Sequence, residues 1–341
     1  MRAEILPTHT AAQFAAAAER AVALLRAGEV VALPTETVYG LAANALDERA
    51  VAKIYEIKGR PAYNPIIIHV SDSEMARRYV THWPESAAQL AKSFWPGPLT
   101  MVLPRAQNVP DIVTAGGATL GVRWPSHPFM QAVIRACGFP LAAPSANLSN
   151  SISPTNAQHV SKQLGDQLAL IVDGGQAQVG IESTVVDLAV QPPRVLRPGM
   201  IHEESLRAAL ADGPWPMADG RSADQNGSEL RSPGLLQKHY SPKARLVVRA
   251  WRDAADLNLQ LSTFNLQRAN IHIIAHAHIP IGDGFGGVSV IPHDAEAFAR
   301  ALYAELHRCD EAGAALIVVE ALPAGAEWRA IADRLTRAAA D

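Results

Sequence analysis

The sequence predicts an α/β protein of two domains, on three observations. Segments of helical and of strand-like periodicity alternate through the first two hundred residues. A stretch rich in Gly, Pro, Ser and Asp, without apolar periodicity, interrupts them between residues 212 and 234. Behind it the alternation restarts. The chain of 341 residues is about two units of ordinary domain size, and its 48% hydrophobic content suffices for two cores.

Helical patterns run over 11–26, 47–58, 85–94, 127–137 and 154–164, between strand-like runs at 30–33, 66–70, 99–103, 120–122, 141–143, 168–172 and 184–188. In the second helix Asp47 is placed as the N-cap, Ile54 and Ile57 share a face, and Gly59 stands where a helix ends in the left-handed conformation. The runs at 99–103 and 120–122 have no helical pattern between them, which predicts antiparallel pairing inside a mixed sheet. Residues 212–243 read as an interdomain linker. Strands at 246–248, 271–275, 288–291 and 316–320, with helices at 294–311 and 327–339, then predict a small parallel three-layer, Rossmann-like domain over 244–341. No internal repeat is visible.

Composition excludes several functions. A net charge of −3 and a pI near 6.5 argue against a broad nucleic-acid surface, although a local basic patch remains open. Two cysteines, Cys137 and Cys309, give neither a disulfide framework nor a cysteine zinc site. No apolar run reaches membrane-spanning length, and the first residues do not match a secretory signal, so the expected compartment is the cytoplasm. His272, His276 and His278 fall on one face of a strand pattern with no matching carboxylate or cysteine cluster nearby, which favours ordinary histidines over a metal set. The glycine-rich 282–287 opens no helix and reads as a loop.

The chemistry concentrates in Lys58-Gly-Arg60 and Ser145-Ala-Asn147. The turn at Gly59, and the extended bias that Pro61 imposes on Arg60, let a point charge and a planar guanidinium converge on one anion. Ser145 and Asn147 follow the apolar run 140–144 and emerge on one side of a strand end, where α/β sheets place ligands. Two cations and two small polar side chains can hold a nucleoside triphosphate without a Walker loop. Taken singly, Lys58 could equally complement a helix dipole, and Ser145 and Asn147 could be a polar turn or cap.

Seven words in order carry a resemblance: Leu33-Pro-Thr-Glu-Thr-Val-Tyr-Gly-Leu41, Lys58-Gly-Arg-Pro61, Trp95-Pro-Gly-Pro-Leu-Thr100, Val122-Arg-Trp-Pro125, Ala143-Pro-Ser-Ala-Asn147, Glu182-Ser-Thr-Val185 and Leu196-Arg-Pro-Gly199. Over about residues 10–210 the chain resembles the YrdC-like family. Lys238-His-Tyr-Ser-Pro242 and the domain behind it resemble that family's long two-domain form. The resemblance implies a catalytic domain over 1–211, built as a twisted mixed sheet with an open concave face. It implies a nucleotidyltransferase that joins L-threonine, bicarbonate or CO2, and ATP into threonylcarbamoyl-adenylate and pyrophosphate, for the threonylcarbamoyladenosine modification of tRNA by a downstream complex.

Position by position, the resemblance implies catalytic roles for Lys58 and Arg60. It implies ATP contacts at Lys58, Arg60, Asn64, Thr119, Ser145, Asn147, Ser153, Arg197 and Tyr240, and a threonine pocket from Thr37, His69, Arg123, Ala143 and Ser183. Mg2+ is expected with ATP, held mainly by ATP oxygens and water rather than by protein ligands. The linker 212–243, with Lys238, His239 and Tyr240, is expected to close over the active site, so deletion beyond about residue 212 should leave the first domain folded and impair turnover. The alternative is a non-catalytic RNA-binding module of the same fold. Carbamoyl-transfer enzymes with a YrdC-like domain carry zinc-type cysteine clusters, which two cysteines cannot supply.

Overall fold

The computed structural model describes residues 2–210, 232–234, 238–280 and 284–340. They divide into two compact units: Met1–Ser149 with Ser153–Leu236, and Asn150–Ile152 with Gln237–Asp341. Most of the linker predicted at 212–243, and the part of the glycine-rich loop at 282–283, lie outside the described residues.

In the first unit the strands are β1 (Glu4–Pro7), β2 (Val31–Leu33), β3 (Gly40–Asn44), β4 (Ile68–His69), β5 (Leu99–Pro104), β6 (Thr119–Arg123), β7 (Leu141–Ala142), β8 (Leu170–Asp173), β9 (Thr184–Asp187) and β10 (Arg194–Arg197). They form one sheet in the order β1-β8-β2-β3-β7-β4-β6-β5-β9-β10. The pairs β1–β8, β2–β8, β4–β6 and β5–β9 are parallel, and β2–β3, β3–β7, β4–β7, β5–β6 and β9–β10 antiparallel. The mixed sheet and the antiparallel β5–β6 pair match the expectation. The helices are α1 (Ala11–Arg26), α2 (Glu48–Lys58), α3 (Ser73–Arg77), α4 (Glu85–Phe94), α5 (Asp111–Thr114), α6 (Pro128–Cys137), α7 (Ala157–Leu164) and α8 (Glu203–Leu210).

Contrary to the sequence reading, a helix does lie between β5 and β6. It is α5, one turn of four residues, too short to show a period.

Local chemistry fixes the helices that matter for the site. Thr10 and Gln13 make a capping box at the start of α1, whose Ala17, Ala21, Val22 and Leu25 are buried along one stripe. Phe14 meets Phe129 of α6 edge-on at 5.0 Å, so α1 and α6 cover the sheet together. In α2 the Asp47 carboxylate accepts from the amides of Arg49 and Ala50, and Gly59 ends the helix at φ 58°. Ala50, Val51 and Ile54 anchor α2 in the core; each buried Val or Ile side chain contributes about 1.5–3 kcal/mol. That anchoring delivers Lys58, one turn beyond Ile54, into the interior.

In the second unit β11 (Arg245–Arg249), β12 (Ile271–Ala275), β13 (Gly287–Val290) and β14 (Leu316–Glu320) form an all-parallel sheet in the order β11-β14-β12-β13, with α9 (Ala254–Leu261), α10 (Ala295–Glu311) and α11 (Arg329–Ala338). The unit also holds Ser151, which bridges Ser241 in parallel, and the Ser241 amide donates to Asn150 O at 2.8 Å. Tyr240 sits at φ 62° with its ring stacked on Tyr303, the Arg334 guanidinium 5.3 Å over it and His239 against its edge.

One part of the histidine reading needs correction. A carboxylate does lie beside His276 and His278: Glu320, 42 residues downstream of His278, accepts the amides of His276, Ala277 and His278 and pairs with His278 Nδ1 at 2.7 Å. Strand pairing of β12 with β14 brings it there, a contact that sequence distance hides. His276 Nδ1 lies 2.7 Å from His293 Nδ1 and its ring stacks on Trp328. Among the described residues, no group of three His, Cys, Asp or Glu side chains is arranged to hold a metal ion.

Candidate active site

Among the described residues of the first unit, four cations are almost wholly buried: Lys58 at 3% exposure, Arg60 at 9%, Arg123 at 5% and Arg197 at 4%. Buried charge is costly unless partnered, so their partners define the site. Lys58 Nζ donates to Ser145 O at 2.5 Å and to Asn147 O at 2.6 Å, while its own carbonyl accepts the Ser149 amide at 2.8 Å. The two blocks singled out in the sequence therefore meet, and through backbone carbonyls rather than side chains. Arg60 is clamped by its own loop: Nε donates to Asn64 O at 3.0 Å, and Nη2 to Asn64 Oδ1 at 2.7 Å and Pro65 O at 2.6 Å.

Burial, then the nearby Arg60 charge, hold the Lys58 ammonium well below the ordinary lysine range, with Glu182 pulling the other way. Glu182 accepts the Ser153 hydroxyl at 2.6 Å. Its neighbour Ser183 lies 2.8 Å from Thr100 Oγ1 and is gripped by Arg197, whose Nε donates to Ser183 O and Nη2 to Ser183 Oγ, both at 3.1 Å. Gly199 makes that grip possible: a Cβ there would lie 2.6 Å from Thr184 Oγ1 and closer still to its amide nitrogen.

Arg123 ends β6. Its Nη1 donates to Thr37 Oγ1 at 3.0 Å, its Nε to Gly97 O at 3.2 Å, and its Nη2 lies 2.6 Å from Glu36 Oε1. Burial pushes the Glu36 carboxyl up, but the Arg123 charge, its hydrogen bond and backbone amides outweigh this and hold it below the ordinary range. Thr37 is locked in turn by Thr35 at 2.9 Å and by its carbonyl, which accepts the Gly180 amide at 3.1 Å. His69 pairs in register with both Arg123 and Leu141. Burial, then Arg123, lower its pKa well below 6.5 against the Leu141 carbonyl, so the imidazole is neutral. Its Nδ1 is buried with no partner among the described residues.

The structure thus brings Lys58 to Ser145 and Asn147, Arg60 to Asn64, Arg197 to Ser183, and Thr37 and His69 to Arg123, with Ser153 on Glu182, all within the first unit. Ala143 is also buried, its amide on Ile67 O. Thr119 is not drawn in: it starts the strand that Arg123 ends, about 13 Å away along β6. Tyr240 belongs to the second unit, where its ring is engaged as described. The sequence reading missed Glu36, Glu182 and Thr100. Glu36 and Glu182 stood inside quoted words, and an acid within an otherwise apolar or hydroxyl-bearing block is the signal that could have found them.

The described residues define, as a class, a two-unit α/β protein whose first unit buries four partnered cations. The sequence profile described as "Telomere recombination", that of the Sua5/YciO/YrdC domain, matches residues 23–199, and the one described as "Threonylcarbamoyl-AMP synthase, C-terminal domain" matches residues 201–340. The chain belongs to the Sua5/YrdC family. The threonylcarbamoyl-AMP synthase of Pyrococcus abyssi is 38% identical over 322 residues, 93% of this chain and 92% of that relative. The Bacillus subtilis enzyme of the same name is 49% identical over 230 residues, 67% of this chain and 65% of its own length. The crystal structure of P. abyssi Sua5 complexed with L-threonine superposes with a TM-score of 0.88 at 34% identity, covering 99% of this chain and 98% of that one.

Proposed function

We propose that the chain is an L-threonylcarbamoyladenylate synthase: a nucleotidyltransferase that makes threonylcarbamoyl-AMP and pyrophosphate from L-threonine, bicarbonate or CO2, and ATP, in the cytoplasm, for the threonylcarbamoyladenosine modification of tRNA. The observation that carries the reading is the burial of Lys58, Arg60, Arg123 and Arg197 in the first unit of a chain alike over nearly its whole length to a protein crystallised with L-threonine.

The threonine amine adds to CO2 and loses a proton to give a carbamate. A carbamate oxygen then attacks the α-phosphorus of ATP as the bond to pyrophosphate breaks. The nucleophile comes from substrate, so the chain needs no activated Ser or Cys and works by positioning and charge stabilisation. Arg123 commits Nε to Gly97 O and one Nη1 N–H to Thr37 and faces Glu36 with Nη2 as an ion pair, and in this reading its remaining N–H groups take the threonine carboxylate. Thr37, His69, Ala143 and Ser183 surround that group in this reading, and the neutral His69 adds no charge beside the amine.

Lys58 and Arg60 neutralise phosphate oxygens, with Asn64, Ser145, Asn147, Ser153 and Arg197 as polar contacts to the nucleotide; Thr119 and Tyr240 enter on the family resemblance alone. Mg2+ enters this reading as part of the ATP substrate, because the hard ion takes oxygen ligands from ATP and water.

The test is pyrophosphate release from ATP. Release that requires threonine and bicarbonate together, and that Lys58→Ala and Arg60→Ala each nearly abolish, is the expected result. Release indifferent to threonine, or near-normal rates in both variants, overturns the reading.

A further inference from the structure

Among the described residues, four non-glycine residues have left-handed φ: Ala115, Asn150, Tyr240 and Asn265. Ala115 and Asn265 each follow a single helical turn, an ordinary place for that conformation. Asn150 at φ 65° and Tyr240 at φ 62° end no helix. They meet instead: the amide of Ser241, which follows Tyr240, donates to Asn150 O at 2.8 Å, beside the Ser151–Ser241 bridge. Asn tolerates the conformation, but for a bulky Tyr it is strained and persists only where the surroundings enforce it.

The surroundings of Tyr240 enforce it from several sides. The residue is 1% exposed, its ring stacked on Tyr303 of α10 at 5.9 Å and covered by the Arg334 guanidinium of α11 at 5.3 Å. Arg334 is fully buried and is aimed by Asp333, whose Oδ2 accepts its Nη1 at 2.7 Å. Asp333 Oδ1 accepts Arg337 Nε at 3.0 Å, and the Arg337 carbonyl accepts the His239 amide at 3.2 Å. Further along, the Asp310 carboxylate of α10 accepts the amides of Lys243 and Ala244 at 2.8 and 3.1 Å. Residues 239–244 are pinned at both ends, with the strained Tyr240 between.

The segment that Ser241 holds leads directly to Lys58. Ser149, one residue before Asn150, donates its amide to the carbonyl of Lys58, which ends α2 and has no acceptor role left within the helix. Ser153, one residue after Ile152, donates to Glu182, whose charge offsets part of what burial and Arg60 do to the Lys58 ammonium. We propose that Arg334 is a positioning residue: by holding Tyr240 left-handed it keeps the Ser241–Asn150 bond in place, and through residues 149–153 it fixes Lys58 and Ser153. The effect on ATP rests on the synthase reading, in which those two residues meet the nucleotide.

The experiment uses the full chain and reads amide hydrogen exchange together with the KM values for ATP and threonine in pyrophosphate release. Arg334→Met keeps the bulk and removes the guanidinium. Asn150→Val puts a β-branched residue at φ 65° on an exposed position, so it strains the bond without disturbing a core. Each should speed exchange at Ser149 and Ser241 at least about fivefold while the amides of β12 keep their wild-type rates. Each should raise the KM for ATP at least about threefold and leave that for threonine unchanged. Arg334→Lys, which retains a cation over the ring, should recover part of both effects, and Asn150→Gly, which takes the left-handed conformation without strain, should match the wild type. The proposal is overturned by wild-type exchange at Ser149 in Arg334→Met, by an equal rise of both KM values, or by Asn150→Gly behaving as Asn150→Val. If Arg334→Met also frees the β12 amides, Arg334→Lys and Asn150→Val decide by the same criteria. A wild type without threonine-dependent release overturns the synthase reading instead, and the exchange rates still decide the role of Arg334.

Discussion

The Glu36 carboxylate lies 2.6 Å from the guanidinium of Arg123, both side chains buried and 87 positions apart in the chain. Glu36 fixes one edge of the guanidinium while Thr37 and Gly97 fix the other groups, so the fork arrives pre-aimed.

Glu36→Gln should therefore cost both stability and substrate affinity. Removing one partner of a buried ion pair typically costs about 3–5 kcal/mol, and the neutral amide recovers part of that. Chemical denaturation should show a loss of about 2 kcal/mol or more, and the KM for threonine should rise far more than the KM for ATP. An unchanged threonine KM would detach the pair from the amino-acid site.

ATP binding should take up protons near the alkaline end of the working range. Burial and Arg60 hold the Lys58 pKa well below 10.5, so between that lowered value and 10.5 part of the population is neutral. Triphosphate oxygens favour the ammonium and raise the value again, which draws a proton from solvent. Calorimetry at about pH 9 in buffers of different ionisation enthalpy should give a buffer-dependent binding heat in the wild type and a smaller dependence in Lys58→Met. Buffer-independent heats in the wild type contradict it.

His69 should make the fold acid-sensitive. Its folded-state pKa lies well below 6.5 through burial and then Arg123, so the unfolded chain binds the extra proton first. The stabilisation is full above pH 6.5 and is lost as pH falls below it. Melting curves between pH 7 and about pH 5 should show a shallower decline in His69→Gln than in the wild type, and parallel curves would remove His69 from the account.

Gly199→Ala should loosen the Arg197 grip on Ser183. The added methyl would overlap the Thr184 amide and hydroxyl, atoms that cannot swing aside as a flexible side chain would. Overpacking of this kind costs about 1–3 kcal/mol, read as a lower melting temperature, and activity should fall at temperatures where the variant is still folded.

The parts of this molecule legible in sequence are those fixed by local rules. The end of α2 was readable because Asp47, Ile54 and Gly59 are capping and packing signals within one segment, and they place Lys58. The strand β3 was not, because Gly40–Asn44 is Gly- and Ala-rich and buried on nearly every position, so it shows neither alternation nor β-branched residues. Edge strands β1 and β10 pair on one side only, and their partly exposed residues break the apolar runs by which central strands are read. In the site, residue types were legible and partners were not: Lys58 was singled out for its charge, yet its bonds go to carbonyls that any residue at 145 and 147 would supply. Glu36 went unnoticed because its meaning lies in Arg123.

The three residues from Asn150 to Ile152 are packed with the second unit although the chain on either side of them is not. A fragment cut near residue 211 would keep this short detour but lose Ser241, against whose backbone it pairs. Its two flanks are Ser149, bonded to the carbonyl of Lys58, and Ser153, bonded to Glu182. Truncation would thus leave a slack hinge spliced between two anchored ends, and the amputated half would be felt through the covalent backbone itself.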